Sequence, residues 1–303
     1  MGLDVALLAI ALVAGLALQR LAPGDGLRRR AWLLYFWTVT PLVVFHAFSR
    51  VPLDREIGLA LAAAVLGAWT VVGLAFLYAR SVSRARDEQG ALVLGAGFPN
   101  TGFLGYPLAQ LAFGADGLAL AVLFDRLSYV VPVTAVTNTI ARLHGREGRP
   151  TTWRARLRVA ATNPPLWAAA VAVALRLADV DPGGGMDAAG DAAAHAVGPA
   201  GFLLLGLALP LDRPSHSRGE VARAGGALVI RFAAAPLLLL AYGAALGVDV
   251  PGAFVLASAL PCAFHILILA RVYDLRPALV RLLVVASTVP AVVAVVSGVA
   301  LLR

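Results

Sequence analysis

Lysine is absent from this 303-residue chain; all 25 basic residues are arginine. Cysteine occurs once, at Cys262, which excludes an internal disulfide and a paired-thiol metal or redox site. Charge is scarce too. Charged residues make up 14% of the chain, where a soluble domain carries about 25%. Missing as well are the glycine-rich loop of a nucleotide site, the paired histidines of a metallo-hydrolase helix and the serine of a nucleophile elbow. No nucleophile, base and orienting group recur together, so the sequence argues against an enzyme. It calls for no cofactor beyond a coupling ion such as sodium or a proton.

What fills the chain is apolar: 60% of residues are hydrophobic and the mean hydropathy is +0.83. Several runs reach the roughly 18–20 residues that cross a bilayer. Punctuation by glycine, proline and arginine divides them into ten expected spans, at about 3–18, 31–49, 57–79, 89–113, 118–140, 164–180, 193–210, 224–247, 251–270 and 279–302. The first run has Asp4 before it and Arg20 after it. A signal peptide has the reverse charge order, so it reads as a first span with the N-terminus outside.

The arginines alternate between sides. Nineteen of the 25 fall in or beside the loops after odd-numbered spans, and three (Arg50, Arg55, Arg303) fall on the opposite side. Basic residues gather in short cytoplasmic loops. The odd-numbered loops are therefore cytoplasmic and both termini outside, in a multi-pass protein of the cytoplasmic membrane. The same explanation accounts for the pI of 10.7 without nucleic acid. The segment 142–161, with six arginines, is the one connection long enough to join two halves, 1–141 and 162–303, and can rest on lipid headgroups. Ten spans divide as five plus five, which predicts an all-α membrane protein with an inverted repeat. Its fourth and ninth spans are broken and expected to cross.

Those broken spans are the candidate site. Gly97-Phe98-Pro99-Asn100-Thr101-Gly102-Phe103-Leu104-Gly105-Tyr106-Pro107 cannot hold a straight helix, because proline removes a donor and clashes with the preceding turn. In hydrocarbon the freed backbone groups need protein, water or solute as partners. The second half offers 251–270, interrupted at Pro261 and followed by His265. Helix N-termini at such breaks favour anions. Asn100 and Thr101 supply donors, and Gly102 and Gly105 allow close approach, whereas Gly97 fits helix packing. Ser258 is placed to line the same region. His265 has three open roles: donor to an anion, proton coupler, or neutral side chain bonded to a carbonyl. Asp125 and Arg126 sit inside an apolar span, where ionisable groups are costly and usually functional. Arg126 suits a substrate anion and Asp125 a cation or proton; a structural pairing is the alternative. Tyr129, Thr134 and Asn138 are weaker candidates. Arg231 and Arg176 are expected to snorkel to opposite surfaces.

The run Asn100-Thr101-Gly102-Phe103-Leu104-Gly105-Tyr106-Pro107 resembles the fourth span of the auxin efflux carrier family. Asn163-Pro164-Pro165-Leu166 looks like the start of that family's sixth span, and Ala259-Leu260-Pro261-Cys262-Ala263 like its ninth-span break. The resemblance implies a fold related to the bile-acid sodium symporters. It also implies a scaffold domain (1–50 and 162–210), through which members often dimerise, and a mobile transport domain (56–140 and 222–303). It implies secondary transport of a small organic anion, such as malonate, malate or an auxin-like carboxylate, with Asn100, Pro107 and Pro261 at the break. His265 stands where the family is expected to have Asn. A sodium- or proton-coupled symporter, or a membrane sensor that does not transport, would use the same parts.

Overall fold

The computed structural model describes residues 2–22, 24–52, 54–130, 140, 143–145, 161–210 and 215–301. Among these the chain is helical, with one isolated antiparallel bridge between Pro99 and Cys262. The first helices are α1 (Gly2–Leu21), α2 (Asp25–Leu34), α3 (Thr40–Arg50), α4 (Arg55–Val82), α5 (Arg86–Gly97) and α6 (Tyr106–Phe124). Then come α7 (Pro164–Leu177), α8 (Gly184–Ala208), α9 (Arg218–Val229), α10 (Ala235–Leu246), α11 (Gly252–Ser258), α12 (His265–Val272) and α13 (Pro277–Leu301).

Four wide π turns, Tyr35–Val39, Thr101–Gly105, Asp125–Val130 and Ile230–Ala234, interrupt the α pattern. Each ends two residues before a proline of the sequence: Pro41, Pro107, Pro132 and Pro236. The physical reason is local. A proline ring displaces the carbonyl one turn back and offers it no N–H, and a widened turn relieves both defects without ending the helix.

The structure corrects the expected fold class. Seven helical stretches among the described residues are long and apolar enough to cross a membrane, not ten: Asp4–Leu21, Gly26–Arg50, Arg55–Val82, Thr101–Tyr129, Gly184–Ala208, Arg218–Leu246 and Pro277–Val295. Pro164–Leu177 is apolar but shorter. The expected fourth span fails as a span because Pro99 stops α5 after 12 residues. From Thr101 the chain runs on as one stretch, bent at Gly114, whose φ of 71° is a conformation glycine tolerates. The expected ninth span likewise separates into α11, of 7 residues, and α12, of 8. Seven long spans do not divide into equal halves, so the five-plus-five inverted repeat with crossing helices is set aside. The end of the expected fifth span, with Thr134 and Asn138, and most of 142–161 lie outside the described residues.

The stretch around Asp187 and Asp191, which lies between the expected sixth and seventh spans, is helical. It opens α8, where Arg50 lies 3.6 Å from both carboxylates and His46 3.4 Å from Asp191. Arg176, exposed near the end of α7, donates to the Val51 carbonyl.

Small residues set the packing. Helix α1 lies along α8, and α3 packs against α7 and α8. Helix α4 packs against α5 and α10, and α5 also meets α9 and α13. The two groups meet where α6 and the turn Thr101–Gly105 press on α3 and α8. The α1–α8 approach is backbone to backbone: a Cβ on Gly206 would fall on the Leu12 carbonyl and 2.9 Å from the Leu16 nitrogen. Gly206→Ala is therefore expected to destabilise the protein by about 1–3 kcal/mol, read as a lower Tm in detergent. Gly225→Ala, on an open face of α9, should not lower it. Equal effects at the two positions would contradict this packing.

Candidate functional site

Helix α5 ends at Gly97, and Phe98 takes an extended conformation (φ −121°, ψ 115°), as a residue before proline prefers. The chain then runs extended to Asn100 and meets the second interrupted stretch. The Asn100 N–H donates to the Pro261 carbonyl at 2.8 Å, and the Ala263 N–H donates to the Phe98 carbonyl at 2.9 Å. Neither proline has a proton to give, so the bridge uses the N–H of the residue after Pro99 and of the residue two after Pro261. Behind it, the Cys262 N–H donates to Ser287 Oγ at 3.1 Å, and the Cys262 thiol to the Gly95 carbonyl at 3.1 Å.

Asn100 restarts the helix. Its Oδ1 accepts from the Phe103 N–H at 3.3 Å, and its carbonyl accepts from Leu104 and Gly105. Asparagine suits this capping role because its short amide reaches back to the first free N–H groups. Its Nδ2 is buried and has no hydrogen-bond partner. Asn100 lines a cavity of about 200 Å³ together with Thr101, Gly102, Asp125, Arg126, Tyr129 and His265.

Within the cavity wall, Asp125 is fully engaged. Thr101 Oγ1 donates to its Oδ1 and Tyr106 OH to its Oδ2, each at 2.5 Å. Arg126 Nη2 lies 3.2 Å from Oδ2 and donates to Tyr106 OH at 2.9 Å. Neighbours on a helix do not ordinarily face each other, yet here both reach the Tyr106 hydroxyl from the π turn they open. Arg126 keeps donor capacity: its buried Nε has no partner. The rest of the wall is aromatic, with Trp32, Tyr35 and Phe36 from the α2 side and Phe98, Phe103 and Phe264 from the two breaks. Tyr35 OH also donates to the Gly102 carbonyl at 3.2 Å.

The structure thus brings Asn100, Thr101, Gly102, Asp125, Arg126, Tyr129 and His265 to one cavity. His265 makes no hydrogen bond among the described residues; its ring stands edge-on to Phe98, centroids 6.3 Å apart. Three expected site residues sit elsewhere. Pro107 packs towards Gly198 and Gly201 of α8, and Pro261 serves the bridge through its carbonyl. The Ser258 hydroxyl bonds back to Val255.

Arg231 is the residue that sequence reasoning missed. It does not snorkel; it is fully buried. Its guanidinium donates to the Ala96 and Gly97 carbonyls at 3.3 and 3.2 Å, and to the Ser258 carbonyl. These are the C-terminal carbonyls of α5 and α11. One cation therefore covers two negative helix ends, leaving the opposite ends of the two breaks to face the cavity. The signal was present, since an arginine nearly two turns inside an apolar run is functional by default. A second concavity, about 650 Å³ and lined by Arg55, Glu56 and Asp249, opens at the start of α4; it has mixed charge and holds none of these groups.

Residues 33–297 match the family described as membrane transport protein. A relative from Methanothermobacter thermautotrophicus, described as an uncharacterized transporter, is 28% identical over 224 residues, 71% of this chain and 69% of its own. Another uncharacterized transporter, from Methanocaldococcus jannaschii, is 45% identical over 53 residues, 17% of each chain. These matches bear out the resemblance read from the motifs.

Arg231→Gln removes the donors that cover three buried carbonyls. It is expected to cost about 3 kcal/mol or more and to lower the Tm of the purified protein sharply. Arg231→Lys should recover part of the loss, because it keeps the charge but not the fork. An unchanged Tm in Arg231→Gln would show that the guanidinium does not hold the breaks.

Proposed function

The chain belongs to the membrane transport protein family, and we propose that it is a secondary carrier of a small organic anion, bound at the cavity between the two helix breaks. The observation that carries this reading is the pair of unpartnered donors in a buried wall, Asn100 Nδ2 and Arg126 Nε. Buried polar groups are normally paired, and a carboxylate would pair both. Membership in a transport family, rather than a lack of catalytic clusters, argues for carriage over chemistry.

The wall also bears on which anion. Asp125 already balances Arg126, so a dicarboxylate would bring two uncompensated charges into hydrocarbon, at high cost. A monocarboxylate brings one, and its body would lie against Trp32, Phe36, Phe98 and Phe103. An auxin-like monocarboxylate is therefore favoured over malonate or malate.

The arrangement of helices supports a division of labour. Trp32, Tyr35, Phe36 and Thr40 come from the expected scaffold, 1–50 with 162–210. The other lining residues come from the expected mobile part, 56–140 with 222–303. A solute at that seam would touch both. A homodimer through the scaffold, an N-terminus outside and the arginine-rich side facing the cytoplasm complete the reading.

In proteoliposomes offered malonate, malate, succinate, lactate and indole acetate, indole acetate uptake should lead. Asn100→Ala should cut it at least tenfold while the protein stays folded, the lost helix cap costing only about 0.5–2 kcal/mol of stability. Retained uptake in that variant would remove Asn100 from the site. Binding without flux would instead favour a sensor.

Coupling to a proton is a second reading, favoured by the buried Asp125 carboxylate and by His265, which lines the cavity with no hydrogen bond among the described residues. Asp125→Asn should then abolish the response of uptake to a pH gradient. An unaltered response would rule Asp125 out and turn attention to His265→Asn. Dependence on a sodium gradient alone would rule out both.

A further inference from the structure

A second, smaller set of polar groups lies apart from the transport cavity. At the arginine-rich end of the molecule is a cavity of about 270 Å³, lined by Gln19, Arg28, Arg271 and Arg281 with apolar Ala208 and Leu267. The arginines come from three elements: α2, the last turn of α12 and the first turns of α13. No carboxylate lines the cavity among the described residues. Arg28 and Arg281 each also hold a further interaction.

Gln19 supplies the independent observation. It is 8% exposed, near the end of α1. Its Nε2 donates to the Leu209 carbonyl at 3.0 Å, but its Oε1 is buried without a donor. The cavity thus presents guanidinium groups to an anion and one orphaned acceptor to a hydroxyl. Guanidinium forks match phosphate oxygens, and basic pockets between membrane helices are suited to lipid headgroups. Apolar Ala208, Pro210 and Leu267 line the cavity beside the polar groups.

We propose that this cavity binds a phosphate group that carries a hydroxyl donor, the chemistry of a glycerol-type anionic phospholipid headgroup. The phosphate sits among Arg28, Arg271 and Arg281, and the hydroxyl donates to Gln19 Oε1. The site joins α1 and α8 to α12 and α13. On the carrier reading, an occupant would bridge the scaffold and the mobile part; the binding claim itself does not depend on that reading.

The test uses the full-length protein in a mild detergent. Tm is measured with added dioleoyl phosphatidylglycerol, with dioleoyl phosphatidylcholine, and with sodium phosphate at matched phosphate concentration. Phosphatidylglycerol is expected to raise the Tm by at least about 3 °C, and phosphatidylcholine is not. Arg271→Gln and Arg281→Gln should each remove at least half of the rise. Arg84→Gln, an arginine on the same side outside the cavity, should keep it. A rise with sodium phosphate equal to that with the lipid would support the phosphate site but assign it to a free phosphate. No rise with either probe, or a rise that both cavity variants retain, would overturn the proposal.

Discussion

The structure depends on how two broken helices are held in hydrocarbon. Each break exposes backbone groups that water would satisfy elsewhere and lipid cannot. The solution is divided. The extended residues satisfy each other, through Asn100 to Pro261 and Ala263 to Phe98. The carbonyls left at the ends of α5 and α11 go to one buried guanidinium, Arg231. The remaining helix ends are left to the cavity, where Asn100 caps one of them and keeps an amide proton unused.

The cavity wall is a consequence of that arrangement. Thr101 and Tyr106 lie on the restarted helix, and Asp125 and Arg126 return to them one long stretch later. An aspartate and an arginine in apolar surroundings would each be untenable alone. Joined through the Tyr106 hydroxyl and supplemented by Thr101, they form a neutral, rigid wall with donor capacity to spare on Arg126. On the proposed carrier reading, such a site could strip a carboxylate of water without a net charge that would hold it.

Much of the site was legible in the sequence, because Pro99, Pro107 and Pro261 act locally and their effect does not depend on tertiary context. The same holds for Asn100, whose capping role is a short-range one. The number of spans was not legible. An apolar run of suitable length reads as a span whether its proline bends a helix, as Pro107 and Pro236 do beside π turns, or ends it, as Pro99 does. Nor was the partner of Arg231 legible, since it lies 134 residues away at Gly97 and 27 away at Ser258. The aromatic contribution of Trp32, Tyr35 and Phe36 likewise arises from packing of distant segments.

The central claim is that this wall serves a carrier rather than a fixed receptor, and counterflow tests it most directly. Proteoliposomes preloaded with unlabelled indole acetate at millimolar concentration would be diluted into a trace of labelled anion. A carrier that returns loaded should concentrate the label transiently above its equilibrium level, with no ion gradient imposed, and the overshoot should vanish in Asn100→Ala. A slow approach to equilibrium without overshoot, in vesicles shown to bind the anion, would contradict the account.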